Sequence, residues 1–478
     1  MLYSDDLFKQ TVSRDKIKET YKTYVAKKTD SLLDIPIINV PEGLDGLNHK
    51  LFLKTLDHQA DSIYKRIQRG NYYFYPFREV KIPKDTSLSR EQAIVQDKIR
   101  TLSIASIRDV ITQKFLYDYL NPITEERFKE LPNVSFAYRK GLNAQKATQK
   151  VFRDLNDGYI HVLDADLKGF FDTIPHDSLF EQIQIFFENM PEIQKLLYRF
   201  IHVDIGFSIK RGPKTKIIRK KREMGIPQGG ILSGMLANIY LHQFDYWVMQ
   251  TLKSKYDIRY ARYADDFIIL SKNSEDIIKV HEEYNSFLNE IKLILHPHPK
   301  KTKISHLTFL DESIDFVGFK ISPRFIAIKE TNIHKFKERL GTIIKATDFN
   351  KKDSLELVKY KCSFKYYGNE VKHFKCRNCG YFDKTRNWMK FFLVVTDLSQ
   401  LKELDRWVYK LISYSYFKST RKRLPKNTLK NLDFPSLELL YYSYRKELKK
   451  ATEYCKCDAI NKEIYATENP YEELFSNY

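Results

Sequence analysis

An adjacent pair of aspartates between two apolar runs constrains the fold of this chain more than any other sequence feature. Residues 260–271, YARYADDFIILS, place Asp265 and Asp266 between two stretches rich in β-branched and aromatic residues. Such a pattern is typical of a β-hairpin whose turn carries carboxylates. Adjacent carboxylates repel one another unless a cation joins them, so a divalent metal is the natural counter-ion. A solvated Asp-Asp turn on an ordinary hairpin is the alternative interpretation.

A second acidic segment favours the metal site over the solvated turn. Residues 159–166, YIHVLDAD, have the pattern of a strand that ends on Asp164 and Asp166. The two carboxylates share one face, because side chains alternate along a strand. If this strand lies beside the hairpin, three carboxylates can hold two Mg²⁺ ions about 3.5–4 Å apart, the geometry for in-line phosphoryl transfer. Such a site would activate a hydroxyl group and stabilise a departing pyrophosphate.

The charge of the chain indicates a polyanionic partner. The 478 residues carry a formal net charge of +20, and residues 320–450 alone contain 31 Lys and Arg against 13 Asp and Glu. Nucleic acid and an anionic membrane surface are the two candidate partners. No stretch approaches the ~18 apolar residues of a transmembrane helix, and the N-terminus has neither the apolar run of a signal peptide nor the basic pattern of a transit peptide. We therefore expect a cytoplasmic protein that binds nucleic acid and no membrane.

Seven segments, in order along the chain, resemble the sequence blocks of a reverse transcriptase. The first catalytic block is matched by DLKGFFD (166–172), the block that cradles template and nucleotide by GIPQGGILSGMLANIYL (225–241), and the family tetrapeptide by YADD (263–266). The Lys-Thr block, the primer grip and two finger blocks are resembled by HPKKTKI (298–304), DFVGF (315–319), IRD (107–109) and SFAYRKG (135–141). The resemblance covers about residues 78–319.

The resemblance implies an α+β fold with the right-hand arrangement of fingers, palm and thumb. The palm sheet is expected to be antiparallel and the C-terminal thumb region helical. The expected divisions are an N-terminal helical extension in 1–75, fingers in 76–158, a palm in 159–320 and a helical basic thumb and C-terminal region in 321–478. A finger-like basic hairpin is expected at 208–223, within the palm segment.

The resemblance also assigns catalytic and metal-binding roles. The catalytic carboxylates, which bind two Mg²⁺ ions together with the backbone carbonyl of Leu167, are expected to be Asp166, Asp265 and Asp266. Mn²⁺ is a substitute for Mg²⁺ in this scheme. The neighbouring carboxylates Asp164 and Asp172 are expected to be structural or to support the metal ligands.

Six residues are expected to bind the incoming nucleotide. Phe171 falls where the family places its sugar gate, and its ring would collide with a 2′-hydroxyl, whereas Phe170 is expected in the core. Lys301 is expected to protonate the leaving pyrophosphate, with a solvated lysine as the alternative. The triphosphate would be gripped by Arg108, whose guanidinium suits bidentate contacts, with Arg100 as a weaker candidate. The remaining two, an amide that positions template and nucleotide and a glycine that permits close backbone approach, are Gln228 and Gly229, with Gly230 beside them.

Two basic segments are expected to contact nucleic-acid phosphates. In the hairpin around Gly212 and Pro213, the basic residues expected to make these contacts are Lys210, Arg211, Lys214, Lys216, Arg219, Lys220, Lys221 and Arg222. In the thumb region they are Arg421, Lys422 and Arg423, interleaved with tyrosines that can stack on bases. A merely solvated hairpin and core aromatics are the alternatives. The cysteines Cys376, Cys379, Cys455 and Cys457 lack zinc-ribbon spacing, so isolated thiols are favoured over a zinc site.

Among reverse transcriptases, the chain resembles the stand-alone bacterial enzymes associated with anti-phage defence. It shows no clear retron segments and no ribonuclease H acids. The resemblance implies a structured noncoding RNA as template, deoxynucleotides as substrates and an RNA/DNA hybrid as product. A homo-oligomer is compatible with the sequence. Priming by a tyrosine such as Tyr471 or Tyr478, an RNA-dependent RNA polymerase, and a group II intron-like maturase or RNA-binding protein stay as alternatives.

Overall fold

A computed structural model describes most of the chain. The described residues are 3–26, 28–30, 37–38, 40–84, 88–96, 98–211, 214–297, 299, 301–309, 312–367, 372–376, 382–383, 388–454 and 462–466. They divide into two compact units. One consists of Met1–Ala147 and Tyr159–His306, and the other of Thr148–Gly158 and Leu307–Tyr478.

The first unit contains an antiparallel four-stranded sheet, as expected for a palm. Its strands are β5 (His161–Asp166), β8 (Ile258–Tyr263), β9 (Asp266–Ser271) and β10 (Lys303–His306), in the order β10-β5-β9-β8. Of the two middle strands, β9 is mostly apolar and almost fully buried, whereas β5 buries only Val162, Leu163 and Ala165. The register is fixed by the need to keep these side chains in the core. Helices cover this unit's sheets and contribute to the same hydrophobic core.

A second four-stranded sheet joins segments that are distant in sequence. Its strands are β3 (Phe77–Pro83), β4 (Ile99–Ile104), β6 (Ile205–Arg211) and β7 (Lys214–Lys220), in the order β4-β3-β6-β7. Strands β6 and β7 form an antiparallel hairpin, whereas β3 and β6 pair in parallel through Phe77 and Ile205. The basic hairpin therefore belongs to the same sheet as the strands of the expected fingers.

The remaining elements of the first unit are mostly helices. The N-terminal elements are α1 (Asp5–Thr11), α2 (Arg14–Ala26), α3 (His49–Lys54) and α4 (Leu56–Gln68), with the short strands β1 (Thr29–Asp30) and β2 (Ile37–Ile38). They are followed by α5 (Arg90–Val95), α6 (Ile107–Phe128), α7 (Ala144–Asn156), α8 (Phe170–Thr173), α9 (His176–Phe186) and α10 (Pro191–Ile201). The last are α11 (Ser233–Trp247), a π-helical turn (Val248–Leu252), α12 (Lys253–Lys255) and α13 (Ser274–Glu290).

Local side-chain chemistry explains where several of these helices begin. Ser4 and Ser106 each accept a hydrogen bond from a backbone N–H of the first turn, at the starts of α1 and α6. Ser89 and Gln92 form a capping box at the start of α5. Buried side chains of the N-terminal helices, among them Phe8 and Phe52, are part of the hydrophobic core that also includes the palm strands. The N-terminal extension is thus integral to the first unit.

Among the residues described, the second unit contains the part of α7 from Thr148 on, six further helices and two small sheets. The strands β11 (Ile314–Phe316), β12 (Phe319–Ile321) and β13 (Ile326–Ile328) form one sheet, and β14 (Lys372–Cys376), β15 (Phe382–Asp383) and β16 (Lys462–Ala466) form the other. The helices are α14 (Glu330–Lys345), α15 (Ser354–Tyr367), α16 (Trp388–Phe391), α17 (Ser399–Thr420), α18 (Thr428–Asn431) and α19 (Leu437–Tyr454).

The two units are divided at a different place from the expected palm and thumb. The division falls between His306 and Leu307, because β10 is the edge strand of the palm sheet and β11 starts a separate sheet. Residues 148–158, expected in the fingers, belong to the second unit. In the described part of the chain, no helix is long and apolar enough to cross a membrane.

Candidate active site

The palm sheet brings together the three aspartates expected to be catalytic. In the antiparallel register of β5 and β9, Asp166 lies directly opposite Asp266. Asp265 occupies the turn between β8 and β9, one residue before Asp266. All three side chains are half-buried. Two strand ends and one turn thus place three carboxylates at one edge of the sheet.

The turn that carries Asp265 has a strained backbone held by a buried arginine. Ala264 has φ 58°, in the left-handed region that residues other than glycine rarely adopt. Its carbonyl accepts a hydrogen bond of 3.1 Å from Arg262 Nη1, and Arg262 is only 1% exposed. Arg262 also forms a bidentate ion pair with buried Asp245, which accepts a further hydrogen bond of 2.7 Å from Tyr260. This network fixes the turn from the core side.

Burial and mutual repulsion raise the pKa values of the aspartates in the hairpin. The pKa of Asp266 is raised to about 7 by burial first, and then by the charges of Asp265, Asp166 and Asp164. The pKa of Asp265 is raised by burial and by the charge of Asp166. These shifts mark a concentration of negative charge that is costly without a cation.

Among the residues that the structure describes, the cation Lys301 lies within hydrogen-bonding distance of this aspartate cluster. Its Nζ forms an ion pair with Asp166 Oδ2, and its charge lowers the pKa values of Asp265 and Asp266 against the burial effect. The expected proton-donor role of Lys301 therefore competes with a role in neutralising Asp166. The more distant His296 Nε2 lies 3.7 Å from the same oxygen.

The residues at this edge suit a divalent cation. Among the described residues, no three His, Cys, Asp or Glu side chains form a ready-made cage for a metal ion. Carboxylate oxygens are the donors that Mg²⁺ prefers, and a divalent ion would relieve the repulsion that raises the pKa values of Asp265 and Asp266. Leu167 forms a β-bridge with Leu295 through two hydrogen bonds, from the Lys168 N–H to the Ile294 carbonyl and from the His296 N–H to the Asp166 carbonyl. The Leu167 carbonyl takes part in neither of these bonds. Asp166, Asp265, Asp266 and this carbonyl would hold the ion.

The expected sugar gate follows β5, the strand that carries Asp166. Gly169, with φ 60°, turns the chain into the short helix α8, which contains Phe170 and Phe171. Phe170 is buried in the core, as predicted, whereas Phe171 is only partly buried. Its ring meets the ring of Tyr138 edge-on, with 6.4 Å between centroids. The gate therefore has an aromatic neighbour that the sequence did not assign.

The glycine-rich loop is tied to the same segment. Gln228 Nε2 donates hydrogen bonds of 3.1 Å to both carboxylate oxygens of Asp172, and the Gln228 carbonyl accepts one of 2.8 Å from the Ser103 N–H. Gly229 has φ 98°, a conformation that a residue with a side chain would strain to adopt. Asp172 thus orients the amide of Gln228, which supports the structural role expected for Asp172.

The structure separates the two arginines expected to bind the triphosphate. Arg100, exposed on β4, is near enough to Asp265 for its charge to lower the pKa of that carboxyl. Arg108, expected to be the main contact, lies at the start of α6 with its Nη2 3.5 Å from Asp45 Oδ2. Among the residues that the structure describes, Arg108 forms its ion pair with Asp45 and none with the three aspartates. Arg100 is therefore the better-placed of the two.

The basic hairpin is divided between exposed cations and one held in the protein. Lys216, Arg219, Lys220 and Lys221 are exposed on β7 or just after it. Arg222 is half-buried, donates a hydrogen bond of 3.1 Å to Ser103 Oγ, and has its pKa lowered by burial. Arg222 therefore supports β4, and its expected contact with phosphate stays a prediction. The side chains of Lys210, Arg211 and Lys214 lie outside the described residues.

The expected thumb residues lie in the second unit. Arg421 ends α17 with φ 60°, and its side chain and those of Lys422 and Arg423 are exposed. The primer-grip block forms the β11–β12 turn, where a cavity of about 410 Å³ is lined by Gly318, Lys335, Arg339, Trp388 and Phe391. Cys379, Cys455, Cys457 and the side chain of Cys376, and likewise Tyr471 and Tyr478, lie outside the described residues.

Sequence reasoning missed three features of this site. Lys84 follows β3 and is near enough to Asp172 and His296 for its charge to act on both. Its signal was a lysine directly after a strand, in the segment KIPK. Arg262 gave the appearance of an alternating polar residue, although it is buried, and Tyr138 was quoted within a finger block without a role. For Arg262 and Tyr138, no signal in the sequence distinguishes them from ordinary strand and loop residues.

Removing one hairpin charge should stabilise the protein in a chelator at high pH. An unfolded aspartate titrates near ~3.9, whereas folded Asp266 titrates at about 7, so the folded state holds a proton through that interval. The free energy of unfolding therefore falls as pH rises from about 4 to 7, and the loss is complete above 7. In EDTA at pH 8, we expect the free energy of unfolding of Asp266→Asn to be about 1–3 kcal/mol higher than that of wild type. At pH 4, the two free energies of unfolding should differ little.

Urea unfolding monitored by fluorescence at the two pH values measures this difference. Asp257→Asn is the matched control, since Asp257 is 62% exposed at the start of β8 and its substitution should show no such pH dependence. An Asp266→Asn protein less stable than wild type at pH 8 would contradict the electrostatic account.

Comparison with known proteins agrees with the arrangement of the palm. Residues 82–321 match the sequence profile described as "Reverse transcriptase (RNA-dependent DNA polymerase)". Protein YkfC of Escherichia coli K12 is 27% identical over 314 residues, which cover 58% of this chain and 75% of YkfC. The group II intron-encoded protein LtrA of Lactococcus lactis is 27% identical over 328 residues, which cover 56% of this chain and 50% of LtrA.

The chain therefore spans about half the length of LtrA and three quarters of that of YkfC. Among solved structures, telomerase from Candida albicans with a fragment of telomeric RNA aligns with a TM-score of 0.42 at 14% identity. That alignment covers 92% of this chain and 71% of the telomerase chain.

Proposed function

The chain belongs to the reverse transcriptase (RNA-dependent DNA polymerase) family, and from this premise we propose that it extends a primer with deoxynucleotides on an RNA template. One observation carries the proposal: the register of the palm sheet sets Asp166 opposite Asp266, with Asp265 in the adjoining turn. Three carboxylates at one sheet edge are the donor set for nucleotidyl transfer with two divalent ions, which we propose to be Mg²⁺.

The residues around the carboxylates suit the parts of a nucleoside triphosphate. Two Mg²⁺ ions bound there would lower the pKa of the primer hydroxyl and stabilise charge on the departing pyrophosphate. Arg100 and Lys84 are exposed cations on or after the finger strands and would bind the triphosphate. Phe171 would exclude a ribose 2′-hydroxyl. Asp172, which accepts two hydrogen bonds from Gln228 Nε2, would fix the orientation of the Gln228 amide. Selection of deoxynucleotides thus depends on the ring of Phe171. Binding of the triphosphate depends on the cations Arg100 and Lys84.

A primer-extension assay tests this proposal. With an RNA template, a DNA primer and Mg²⁺, the chain should incorporate dNTPs and use rNTPs at most a tenth as well, on the order of the penalty for one steric clash. Equal incorporation of both substrates would instead indicate an RNA-dependent RNA polymerase. No incorporation of either, with RNA bound tightly, would overturn the polymerase proposal in favour of an RNA-binding protein.

We further propose that the template is a structured noncoding RNA partner and that DNA synthesis serves anti-phage defence. The resemblance to stand-alone defence-associated enzymes supports this proposal. Exposed basic side chains on β7 and after α17 provide sequence-independent contacts to a nucleic-acid backbone. The similarity to the group II intron-encoded LtrA favours a second candidate, a maturase-like protein that acts on an intron RNA.

Nucleic acid that co-purifies with the protein distinguishes these two candidates. Sequencing of bound RNA and DNA should return one abundant structured RNA and a complementary DNA, and phage challenge should reduce survival of cells that carry an Asp265→Ala, Asp266→Ala chain. A bound intron RNA without complementary DNA would support the maturase-like function. Proteinase digestion of the DNA product shows whether its 5′ end is attached to a tyrosine.

A further inference from the structure

Tyr138 has a backbone conformation that is unusual for a large side chain. Its φ is 57°, in the left-handed region, and its side chain is 50% exposed. A tyrosine in this region is strained, and such strain persists only where the surrounding structure holds it; it is found more often at binding sites than elsewhere. A half-exposed ring held in a strained position requires an explanation other than packing of the core.

The residues on both sides of Tyr138 supply the restraint. The Ala137 carbonyl accepts a hydrogen bond of 2.8 Å from Asn238 Nδ2 in α11. Arg139 forms a buried ion pair with Glu125, with its Nη2 3.1 Å from Glu125 Oε2. These anchors use backbone and neighbouring side chains and not the ring of Tyr138. Removal of the ring should therefore leave the loop in place.

Helix α11 has a glycine, Gly234, where the ring of Tyr138 packs against it. A Cβ added at Gly234 would lie 2.6 Å from Tyr138 Cδ1 and 3.0 Å from Tyr138 Cβ, much closer than real Cβ contacts. Glycine is a poor helix former, so its presence at this position of α11 disfavours the helix. The glycine and the strained tyrosine are two independent features, and both serve to seat the same ring.

The seated ring contacts the expected sugar gate and lies within electrostatic range of a catalytic carboxylate. It meets Phe171 edge-on, with the ring planes at 84°. Burial raises the pKa of the Tyr138 hydroxyl, and the negative charge of Asp265 raises it further, so Asp265 is near enough to act on the phenol. Arg100, a candidate triphosphate ligand, also acts on the Tyr138 hydroxyl with its positive charge. Tyr138 thus contacts one residue of the proposed nucleotide site, Phe171, and is acted on by the charges of two others, Asp265 and Arg100.

We propose that Tyr138 is a specificity-determining residue that forms, with Phe171, the aromatic wall for the sugar of the incoming nucleotide. This inference rests on the proposed polymerase function of the same site. The ring supplies apolar surface to the deoxyribose and supports the edge of Phe171, which keeps the Phe171 ring in the path of a 2′-hydroxyl. A 2′-hydroxyl pressed against this wall loses water and gains no hydrogen-bond partner from the ring faces.

Steady-state kinetics of Tyr138→Ala with dNTP and rNTP substrates tests the wall. We expect KM for dNTP to rise about tenfold and the preference for dNTP over rNTP to fall about tenfold, with kcat changed less than about threefold. Tyr138→Phe keeps the ring and should stay within about threefold of wild type in all three quantities. A Tyr138→Ala protein within about twofold of wild type in KM and preference would overturn the proposal.

A double-mutant cycle with Gly234 tests the geometry. Gly234→Ala should displace the ring and reproduce the kinetic changes of Tyr138→Ala, although alanine favours the helix. In the Tyr138→Ala background, Gly234→Ala should add no further change, because the ring that it would displace is already gone. Effects that multiply would overturn the inference that Gly234 is cleared for this ring. Thermal unfolding of all variants, expected within a few degrees of wild type, separates these effects from misfolding.

Equilibrium binding separates a failure of this inference from a failure of the proposed function. Quenching of protein fluorescence by dTTP in Mg²⁺ needs no turnover, and Tyr138→Ala should weaken this binding about tenfold. An inactive wild-type chain would overturn the polymerase function, yet the binding comparison would still decide whether Tyr138 contacts the nucleotide. Equal affinity of wild type and Tyr138→Ala for dTTP would overturn the Tyr138 proposal.

Discussion

Replacement of Asp265 and Asp266 by alanine should reduce DNA synthesis at least about 10³-fold. Divalent ions at such a site supply several kcal/mol of transition-state stabilisation, and each ~1.4 kcal/mol corresponds to a factor of ten in rate. The two carboxylates share one turn opposite Asp166, so their removal leaves a single aspartate at the sheet edge. Primer extension with purified protein measures the loss.

The folded state of this double variant is also predictable. Because burial and mutual repulsion raise the pKa values of Asp265 and Asp266, loss of both charges should leave the protein at least as stable as wild type in EDTA at pH 8. Unfolding of the protein could then not explain the loss of activity. Asp257→Asn, at the other end of the same hairpin, should retain full activity. DNA synthesis that survives in the double variant would refute the assignment of the catalytic carboxylates.

Arg262→Met should destabilise the first unit by about 3–5 kcal/mol, since it leaves the charge of Asp245 buried without a partner. Arg262 is 1% exposed and Asp245 is 3% exposed, so water cannot replace the lost ion pair. Tyr260 and Asp245 would keep their hydrogen bond of 2.7 Å, which compensates only part of the loss. Urea unfolding measures the change, and a loss of less than about 1 kcal/mol would contradict a buried, paired arginine.

A second substitution separates stability from activity. Asp245→Leu in the Arg262→Met background removes both charges, and such replacement of a buried ion pair by apolar residues is often neutral for stability. We expect the double variant to recover part of the lost stability, because the buried Tyr260 hydroxyl also loses the acceptor of its hydrogen bond. It should not recover full activity, because the hydrogen bond from Arg262 to the Ala264 carbonyl, which supports the strained turn before Asp265, is still missing. Full recovery of both would show that the turn needs no such support.

Runs of apolar, β-branched residues predicted the hairpin of residues 260–271 and the strand of residues 159–166, and the resemblance to reverse transcriptases predicted an antiparallel palm sheet. The structure pairs that strand with the hairpin, which the sequence pattern alone left open. The antiparallel sheet and the α+β class are confirmed. The helices after residue 320 follow from periodicity, and the structure adds two small sheets there that periodicity did not reveal.

Sequence distance explains what could not be predicted. Arg262 and Asp245 are on different elements, a strand and a helix, and nothing in a strand pattern shows that a polar residue faces the core. Arg108 and Arg100 are equally basic, and only the position of Asp45, far upstream, shows that Arg108 is already paired. The seating of Tyr138 against Gly234 likewise depends on a contact between distant segments.

The parallel pairing of β3 with β6 also has a consequence for the order of folding. Phe77 is paired with Ile205, and the chain between them contains β5, the strand that carries Asp166. Closing such a long loop lowers the conformational entropy of the chain before the strand pairing contributes stabilisation. This sheet should therefore form late and slowly. A fragment that ends before residue 205 keeps β3 and β4 only, a two-stranded ribbon that is marginally stable in water. The sheet of β4, β3, β6 and β7 is therefore completed only after β5, which carries Asp166, has been synthesised.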